Sequence, residues 1–493
     1  MPYRNLDEFL IRLEQDGELI HRENLSQSDS LPHTNALWIE DENTHFPVVL
    51  NIFGTHKRMA WALGLDELET LNVRLSKLLD LKLPNGIGGM MSRAGELFTL
   101  FRSIDIARGK TQHAPVQQHH ETDAPDATIF PYRTITMAQV ISKKSDGSQF
   151  MFLSDVEIVD AKTLRLPHHD GVLVDLPVAV VIGGDPSAMW CGFAPLPAAV
   201  DPYLLAGWLR GKPVPMANAL TQPLRLPADA EIIIEGIISA QETDGMMALT
   251  VTAISHRDGA VFPVMCMDED SAETIWIYKA VERLFMPLLK IVLDEVVDMN
   301  LLTEFGLYNL VLVSMNKQHE GQAQKVIHGI WGMGKLALAR CVIVVDADVD
   351  VQDMSAVVQT LVQVDFRRDM MMSYGLVHHP HQRHALGSKM GIDATRKPDR
   401  QQTQPNAPID PQHISALIEQ NWRLVHTVLV VHGDASIAQA IIKTIWGAMP
   451  TLHIAIVSDT HDLDDHTALL RHILSNFDAQ RTKINDSGAM ALW

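Results

Sequence analysis

The sequence predicts a multidomain protein in which α/β regions flank a β-rich central domain. The chain has 493 residues, which is too long for one ordinary hydrophobic core. Hydrophobic residues make up 46% of it and charged residues 20%, a balance typical of folded rather than disordered proteins. Strand-like runs alternate with helical patterns towards the C-terminus, whereas the middle third has short β-branched runs separated by Gly, Pro and Asp.

Changes in composition and pattern indicate where the domains meet. Residues 112–126 are rich in His, Pro, Gln and Asp, which is typical of a loop or domain boundary. The strand pattern of the middle third favours a sandwich or a barrel. The expected regions are an N-terminal α/β region 1–111, a central β-barrel domain 112–274, a C-terminal α/β domain 275–400, and a linker with a further α/β unit 401–493.

Local patterns predict individual elements. Apolar residues between Leu6 and Leu13 have helical spacing, and the stretch ends at Asp16-Gly17, which predicts a first helix. Residues 47–54 read as a strand that enters a Gly turn. Within the β-rich region, residues 201–214 predict an inserted helix that ends at Gly211.

The C-terminal third contains a degenerate repeat. Residues 323–332 (AQKVIHGIWG) recur as residues 438–447 (AQAIIKTIWG). Each copy follows an apolar strand and precedes another strand that runs into acidic residues. This order predicts a duplicated β-α-β-α unit, with chance similarity of two α/β elements as the alternative.

Charge and cysteine content exclude several functions. The net charge of −20 disfavours binding to nucleic acid and to anionic lipid, because both carry negative phosphates. Three widely separated cysteines suit a reducing compartment and predict no disulfide framework. Charges interleave with the apolar residues of the N-terminus, which is unlike a signal peptide or membrane anchor. The sequence therefore predicts a cytoplasmic protein without integral membrane contact.

Three polar or methionine-rich clusters have structural interpretations. The histidines of residues 378–384 suggest either a metal site or a solvent-exposed loop, and the loop is favoured because no thiolate or carboxylate is near in sequence. Asp346, Asp348 and Asp350 predict a solvated turn before a helix that Asp353 caps. The methionines of residues 370–372 predict core or interface packing.

The most specific motif is Gly387–Lys397, GSKMGIDATRK, which resembles the segment G-S-K-x-G-x-D-A-T-x-K of the UbiD family of decarboxylases. Further similar segments occur in the family's order. They include the opening helix from Tyr3, LNIFGTHKRMA, IGGDP, AGWLRG, AEIIIEG, NKQHEGQAQ and VIVVDADVDVQD. Because these segments are collinear, the chain is identified as resembling UbiD-type proteins along most of its length.

The resemblance implies an N-terminal α/β region, a central split β-barrel of flavin-binding type, a C-terminal α/β domain and a homo-oligomer. It also implies a reaction. UbiD-type enzymes use prenylated FMN, held with a divalent metal such as manganese, to decarboxylate aromatic acids without oxidation. The namesake acts on 3-polyprenyl-4-hydroxybenzoate in ubiquinone biosynthesis.

The resemblance also shows where this chain departs from the family. Phe150 stands at the position of the metal-binding Asn, and Asp155 at that of the catalytic Arg. Pro202 occupies the position of the third metal ligand, a Glu. His168, or its neighbour His169, still fits the metal-binding His. Phe and Pro cannot coordinate a metal, so two of three protein ligands are missing.

The segment E-G-P-x-G-[ED], which supplies both catalytic carboxylates in the family, has no counterpart here. Glu242 and Asp244 lie nearby without its Gly-Pro frame, and with Glu157 and Arg257 they are candidates for a rewired site. A positioned acid typically contributes about 10²–10⁴-fold to a rate, so its loss matters. Ser388 and Lys389 match the family's phosphate-contacting segment and are the expected cofactor-binding residues.

Two functional hypotheses follow from this combination. In the first, the chain is catalytically degenerate, binds neither prenylated FMN nor manganese, and acts as an accessory or regulatory subunit, with an active UbiD-type paralogue as a possible partner. In the second, it is an active decarboxylase with a rewired cofactor site.

Overall fold

The computed structural model divides into two compact units, Met1–Leu284 and Phe285–Trp493. The division falls inside one long helix. The structure describes residues 3–23, 35–41, 44–79, 119–121, 125–169, 172–194, 196, 200–268, 271–303, 308–379, 382–397, 411–418, 420–425, 428–449, 452–459, 463, 465–476, 482–486 and 489–492. No helix in these ranges is both long enough and apolar enough to span a bilayer.

The first unit begins with a small mixed sheet and three helices. The helices are α1 (Leu6–Gln15), α2 (His56–Ala62) and α3 (Thr70–Leu79). The sheet has the order β1 (Leu19–Glu23), β2 (Ala36–Glu40), β3 (Val48–Leu50) and β13 (Phe262–Val264). Helix α1 forms as predicted: Asn5 accepts a hydrogen bond from the Glu8 amide at 3.2 Å, and the apolar face is buried.

A closed six-stranded antiparallel barrel forms the centre of the first unit. Its strands, in spatial order, are β11 (Ile232–Thr243), β8 (Leu176–Ile182), β5 (Thr134–Lys143), β6 (Gln149–Ile158), β7 (Thr163–Pro167) and β12 (Met246–His256). Pairing of β11 with β12 closes the barrel, and β4 (His119–Glu121) adds to β12. The strand run at 261–265 is not part of this barrel, because β13 pairs with β3.

Side chains alternate between the two faces of the barrel strands. Val180 belongs to the apolar core inside the barrel, whereas Val181 packs outside it. The outer face is covered by α4 (Pro186–Cys191), α5 (Pro202–Arg210) and the hairpin of β9 (Met216–Asn218) and β10 (Arg225–Pro227). Helix α5 ends as predicted at Gly211, whose φ of 65° favours glycine. A 3-10 helix, Ala127–Ile129, precedes β5.

Helix α6 (Ala272–Val292) begins with a buried carboxylate that ties three segments together. Glu273 accepts hydrogen bonds from the backbone N–H groups of Phe53, at 3.1 Å, and Cys266, at 2.9 Å. The side chain is fully buried. This desolvation raises the pKa of Glu273 to about 7, although the two N–H groups and the charge of Arg58 oppose the shift.

The second unit contains two five-stranded sheets. In the first, the order is β14 (Val296–Leu301), β15 (Leu310–Met315), β16 (Cys341–Asp346), β18 (Gln382–Asp393) and β17 (Met370–His379). Its helices are α7 (Gln322–Trp331), α8 (Met354–Thr360) and two 3-10 helices, Gly334–Leu338 and Leu361–Gln363.

The second sheet has the order β19 (Trp422–Val425), β20 (Val428–His432), β21 (Ile454–Ser458), β23 (Met490–Leu492) and β22 (Thr482–Ile484). Its helices are α9 (Pro411–Leu417), α10 (Ala435–Ala448) and α11 (His466–Asn476).

The first of these sheets confirms two interpretations of the sequence. Asp353 caps α8 by accepting a hydrogen bond from the Ser355 amide at 2.9 Å. Met370 and Met372 pack against the apolar core. The acidic turn, by contrast, is not only solvated, because the guanidinium group of Arg396 bonds to the carboxylates of Asp346 and Asp348.

The buried Glu273 predicts a pH-dependent stability of the first unit. Its pKa is about 7 in the folded chain, against an ordinary value of 4.5, so only the folded state keeps the proton between these pH values. The group's contribution should be complete below its ordinary pKa and lost as the pH rises through 7, by roughly 3 kcal/mol. Glu273→Gln should remove this part of the slope in urea unfolding at a series of pH values.

Glu23→Gln is the matched control, because Glu23 is exposed on β1. This control should keep the slope of the wild-type chain. An unchanged slope in Glu273→Gln would show that the buried carboxylate does not titrate in this range.

Candidate functional site

The candidate site lies beside a bulge in barrel strand β5. The register between β5 and β6 shifts between Ile135 and Ala138. At the bulge, Met137 has a φ of 50°, in the left-handed region that non-glycine residues rarely adopt. The carboxylate of Asp155, on β6, accepts a hydrogen bond from the Met137 backbone N–H at 2.8 Å. Asp155, which the resemblance places at the family's Arg position, therefore supports the backbone of this bulge.

A small pocket that is open to solvent lies beside Met137. Strands β5 and β8, the turn after β8, helix α4 and the β13 segment contribute its walls. The lining residues are Ile135, Thr136, Met137, Ala138, Gln139, Val181, Ile182, Gly183, Met189, Pro263 and Met265. None of these described lining residues carries a charge. Three methionines and five other apolar residues give the pocket a mainly apolar lining, in which the flexible thioethers can adapt to their neighbours.

Gln139 fastens the helical wall of the pocket to β5. Its amide nitrogen donates to the carbonyl groups of Ala188, at 2.5 Å, and Met189, at 3.1 Å. Its amide oxygen accepts a hydrogen bond from the hydroxyl of Tyr203, on α5, at 2.8 Å. Burial raises the pKa of Tyr203 well above its ordinary value, which keeps the hydroxyl a donor. A polar residue within the apolar strand TITMAQV was the sequence signal for this role.

The IGGDP turn beside the pocket requires glycine for a steric reason. Gly183 has a φ of 71°, and a Cβ atom there would lie 2.4 Å from Cγ of Glu231. The following Asp185 caps α4 by accepting a hydrogen bond from the Ala188 amide at 3.0 Å. Asp185 thus positions a helix that lines the pocket.

Two of the predicted metal positions, Phe150 and His169, lie in a stack of aromatic rings with Phe152. The ring of His169 stacks on that of Phe152, with a centroid distance of 3.9 Å, and lies 6.3 Å from that of Phe150. The two Phe rings stack at 6.0 Å. The structure therefore brings the predicted Asn and His positions together, but it joins them by ring packing. The neighbouring His168 donates its backbone N–H to the carbonyl of Gly245 at 3.1 Å.

Pro202, which the resemblance places at the third metal ligand, starts a helix. Pro202 is the first residue of α5, where its fixed φ suits the first helical turn. The carboxylate of Asp201 accepts a hydrogen bond from the Tyr203 amide at 2.9 Å and so caps this helix. An acid is present one residue before the family position, but its oxygen serves the helix.

The acidic candidates for a rewired site lie on different elements of the barrel. Asp244 is exposed in the turn between β11 and β12, with a φ of 54°. Glu242 pairs through its backbone with Met247, and its side chain lies outside the described residues. Glu157 is exposed on β6.

Arg257 belongs to a buried ion network. Its guanidinium group bonds to Asp7 of α1 and lies 3.3 Å from the carboxylate of Glu231. Burial raises the pKa of Glu231 to about 7, and the positive charge of Arg257 opposes this shift. The network joins the first helix to the barrel, which is a structural role.

The predicted phosphate-contacting residues lie in the second unit. The ammonium group of Lys389 donates to the carbonyl of Ala337 and lies 6.0 Å from the centre of the Trp331 ring. Partial burial lowers the pKa of Lys389. Ser388 is buried beside it. The side chains of the 378–384 histidines lie outside the described residues.

The residues at the positions that the resemblance gives as metal ligands do not fit a metal ion. Phe150 and Pro202 have no donor atoms, and the carboxylate of Asp155 is engaged with the Met137 amide. In the described part of the chain, one trio has ligand atoms within 4.8 Å of one another, and it consists of other residues, His56, Glu67 and Glu69. No described acid lines the pocket beside Met137 for proton transfer.

Removing the Asp155 carboxylate should destabilise the barrel. Asp155→Ala leaves the Met137 amide without this acceptor and should lower the free energy of unfolding by about 1–3 kcal/mol. Asp155→Asn keeps an acceptor oxygen and should lose less. Glu157→Ala, on the exposed side of the same strand, serves as the control and should change stability by less than about 0.5 kcal/mol. Equal urea midpoints for all three variants would contradict this role of Asp155.

Solved structures share this fold at low sequence identity. One is the UbiD-class enzyme HmfF from Pelotomaculum thermopropionicum in complex with FMN, which is 18% identical with a TM-score of 0.63; the match covers 83% of this chain and 97% of that one. Another is the vanillic acid decarboxylase of Sedimentibacter hydroxybenzoicus in closed form, which is 20% identical with a TM-score of 0.64, over 83% and 96% of the two chains.

Sequence comparisons cover the same part of the chain. Models of the N-terminal, Rift-related and C-terminal domains of 3-octaprenyl-4-hydroxybenzoate carboxy-lyase match residues 12–78, 110–269 and 275–394. An uncharacterized protein of Archaeoglobus fulgidus is 30% identical over 446 residues, which are 80% of this chain and 92% of that protein. One of Aquifex aeolicus is 31% identical over 448 residues, with the same coverage. The chain therefore belongs to the UbiD family.

Proposed function

We propose that this chain is a UbiD-family protein that does not decarboxylate and acts as an accessory or regulatory subunit. The main observation in favour is that residues predicted at the family's reactive positions make structural contacts within the chain. The Asp155 carboxylate accepts the Met137 N–H at 2.8 Å, and Phe150 packs in a ring stack with Phe152 and His169. Both positions contribute to folding, which argues against a vacant site awaiting a ligand.

Loss of the acids supports the same conclusion. Decarboxylation of this family's type needs a proton source at the reacting carbon, and a positioned acid contributes about 10²–10⁴-fold. Among the described residues, no carboxylate lines the pocket beside Met137. Glu157 and Asp244, two of the candidates, are exposed. We therefore assign no catalytic residue in this chain.

The two remaining candidates for holding the cofactor or its metal, Lys389 and His168, argue against cofactor binding. Lys389 donates to the Ala337 carbonyl, so contact with a phosphate would require this bond to break or be shared. His168 would be a single ligand where a metal needs several. Prenylated FMN and manganese are accordingly not expected to bind, although HmfF, which shares the fold, occurs in complex with prFMN.

We also propose a cellular location, an assembly state and a domain organisation for the protein. We place the protein in the cytoplasm, as a homo-oligomer or beside an active UbiD-type paralogue, with ubiquinone biosynthesis as the family's reference pathway. We assign residues 1–111, 112–274 and 275–400 to the three family regions and 401–493 to the linker and duplicated unit. The identical order of the two C-terminal sheets supports the duplication.

The first test is whether the purified protein carries the cofactor. The chain should be produced in cells that also contain a flavin prenyltransferase, together with an active UbiD-family decarboxylase as the positive control. We expect no flavin absorbance and manganese far below equimolar, because the metal positions lack ligands. A yellow protein with equimolar prenylated FMN and turnover of a hydroxybenzoate would instead establish an active decarboxylase with a rewired site.

The second test addresses the accessory role. Co-expression with a catalytically intact paralogue from the same source should yield a mixed complex, or a change in the decarboxylation rate of that paralogue. The matched control is the paralogue alone at equal concentration. If the two proteins neither co-purify nor influence activity, the accessory role is wrong, whatever the cofactor content.

A further inference from the structure

The two sheets of the second unit are equivalent strand by strand. In each, an antiparallel edge strand is followed by three parallel strands and a second antiparallel edge. The register agrees as well: Cys341 pairs with Leu310 and Met390, and Ile454 pairs with Val428 and Met490. A loop bond recurs too, since the Met390 amide donates to Arg340 and the Met490 amide to His453.

Equivalent faces of the two sheets meet in one apolar core. Leu312, Ile343 and Ile392 of the first sheet correspond by register to Val430, Ile456 and Leu492 of the second, and all six belong to this core. Helices α8 and α11 contribute to the same core. The opposite face of the second sheet packs against α9 and α10 in a separate cluster.

The edge of this contact is also closely packed. The His453 ring, which precedes β21, lies with its centroid 5.3 Å from that of Phe366, which follows the last helix of the first sheet. Phe366 is fully buried. Burial lowers the pKa of His453, and the carbonyl groups of Leu361 and Val364 beside it oppose the shift. The ring is thus enclosed by the other copy.

A contact between equivalent faces is the arrangement of a two-fold symmetric dimer. We propose that the α8 face of the first sheet is a self-complementary dimerisation surface, and that residues 411–492 fill it as a second subunit built into the chain. The partner that this surface fits is another copy of the same α/β unit. The proposal is independent of whether the chain retains catalysis.

The connecting segment favours pairing with the internal copy over pairing with a second chain. Residues 398–410 connect the two halves and can span at most about 45 Å when extended. A short tether gives an effective concentration on the order of millimolar, so the internal copy outcompetes a second chain. Cutting the tether removes this advantage, so after cleavage the halves are held together only by the apolar core that they share.

The test uses the full-length chain with a site-specific protease sequence inserted between residues 398 and 410. After folding and cleavage, size-exclusion chromatography with light scattering should show the two pieces together. With Ile456→Glu, the pieces should separate, and the larger piece should double in mass relative to its monomer because its α8 face is now available. Ile437→Glu, at an exposed position of α10, is the control and should behave as the parent.

Two further outcomes keep the proposal falsifiable. If Ile456→Glu unfolds residues 411–492, the α8 face is still vacated, and doubling of the larger piece is still expected. Leu312→Glu, at the equivalent position of the first sheet, should release the smaller piece without doubling, with circular dichroism checking that the larger piece stays folded. A larger piece that separates and stays monomeric in the Ile456→Glu chain, or pieces that part into monomers without any substitution, would overturn the proposal.

Discussion

The hydrogen bond between the Met137 amide and the Asp155 carboxylate constrains the whole candidate site. A left-handed φ costs a non-glycine residue roughly 1–2 kcal/mol, and a bond to a charged acceptor returns about 1.5–3 kcal/mol. The bulge that shapes the pocket wall is therefore sustained by the acid. An arginine has donors only, so it could not accept this N–H. If Asp155 stands at the family's Arg position, as the resemblance implies, an arginine there would leave the Met137 amide without this acceptor.

A stack of aromatic rings stabilises another part of the barrel, by packing rather than by a hydrogen bond to a charged group. The rings of Phe150, Phe152 and His169 stack with centroid distances between 3.9 and 6.3 Å. This contact between rings contributes to the stability of this part of the barrel.

The sequence predicted those parts of the fold that depend on local pattern. Alternating apolar residues identified the barrel strands, and the spacing from Leu6 identified α1, because both signals lie within one element. Barrel closure by the β11–β12 pair and the transfer of β13 to the N-terminal sheet depend on distant partners, which no local pattern contains. The site shows the same limit. The resemblance predicted Asp155 at the Arg position, but no local pattern predicted the backbone bulge that brings the Met137 amide to this carboxylate.

The C-terminal repeat shows how the two proposals constrain each other. The sequence revealed two similar copies but not which faces meet, because each copy has one apolar surface on either side of its sheet. Since the α8 face is filled within the chain, a paralogue could use it only by displacing a partner present at an effective concentration on the order of millimolar. An accessory subunit of this design would therefore bind its paralogue through other surfaces. The duplication would then prevent self-association at one face while leaving the rest of the scaffold available.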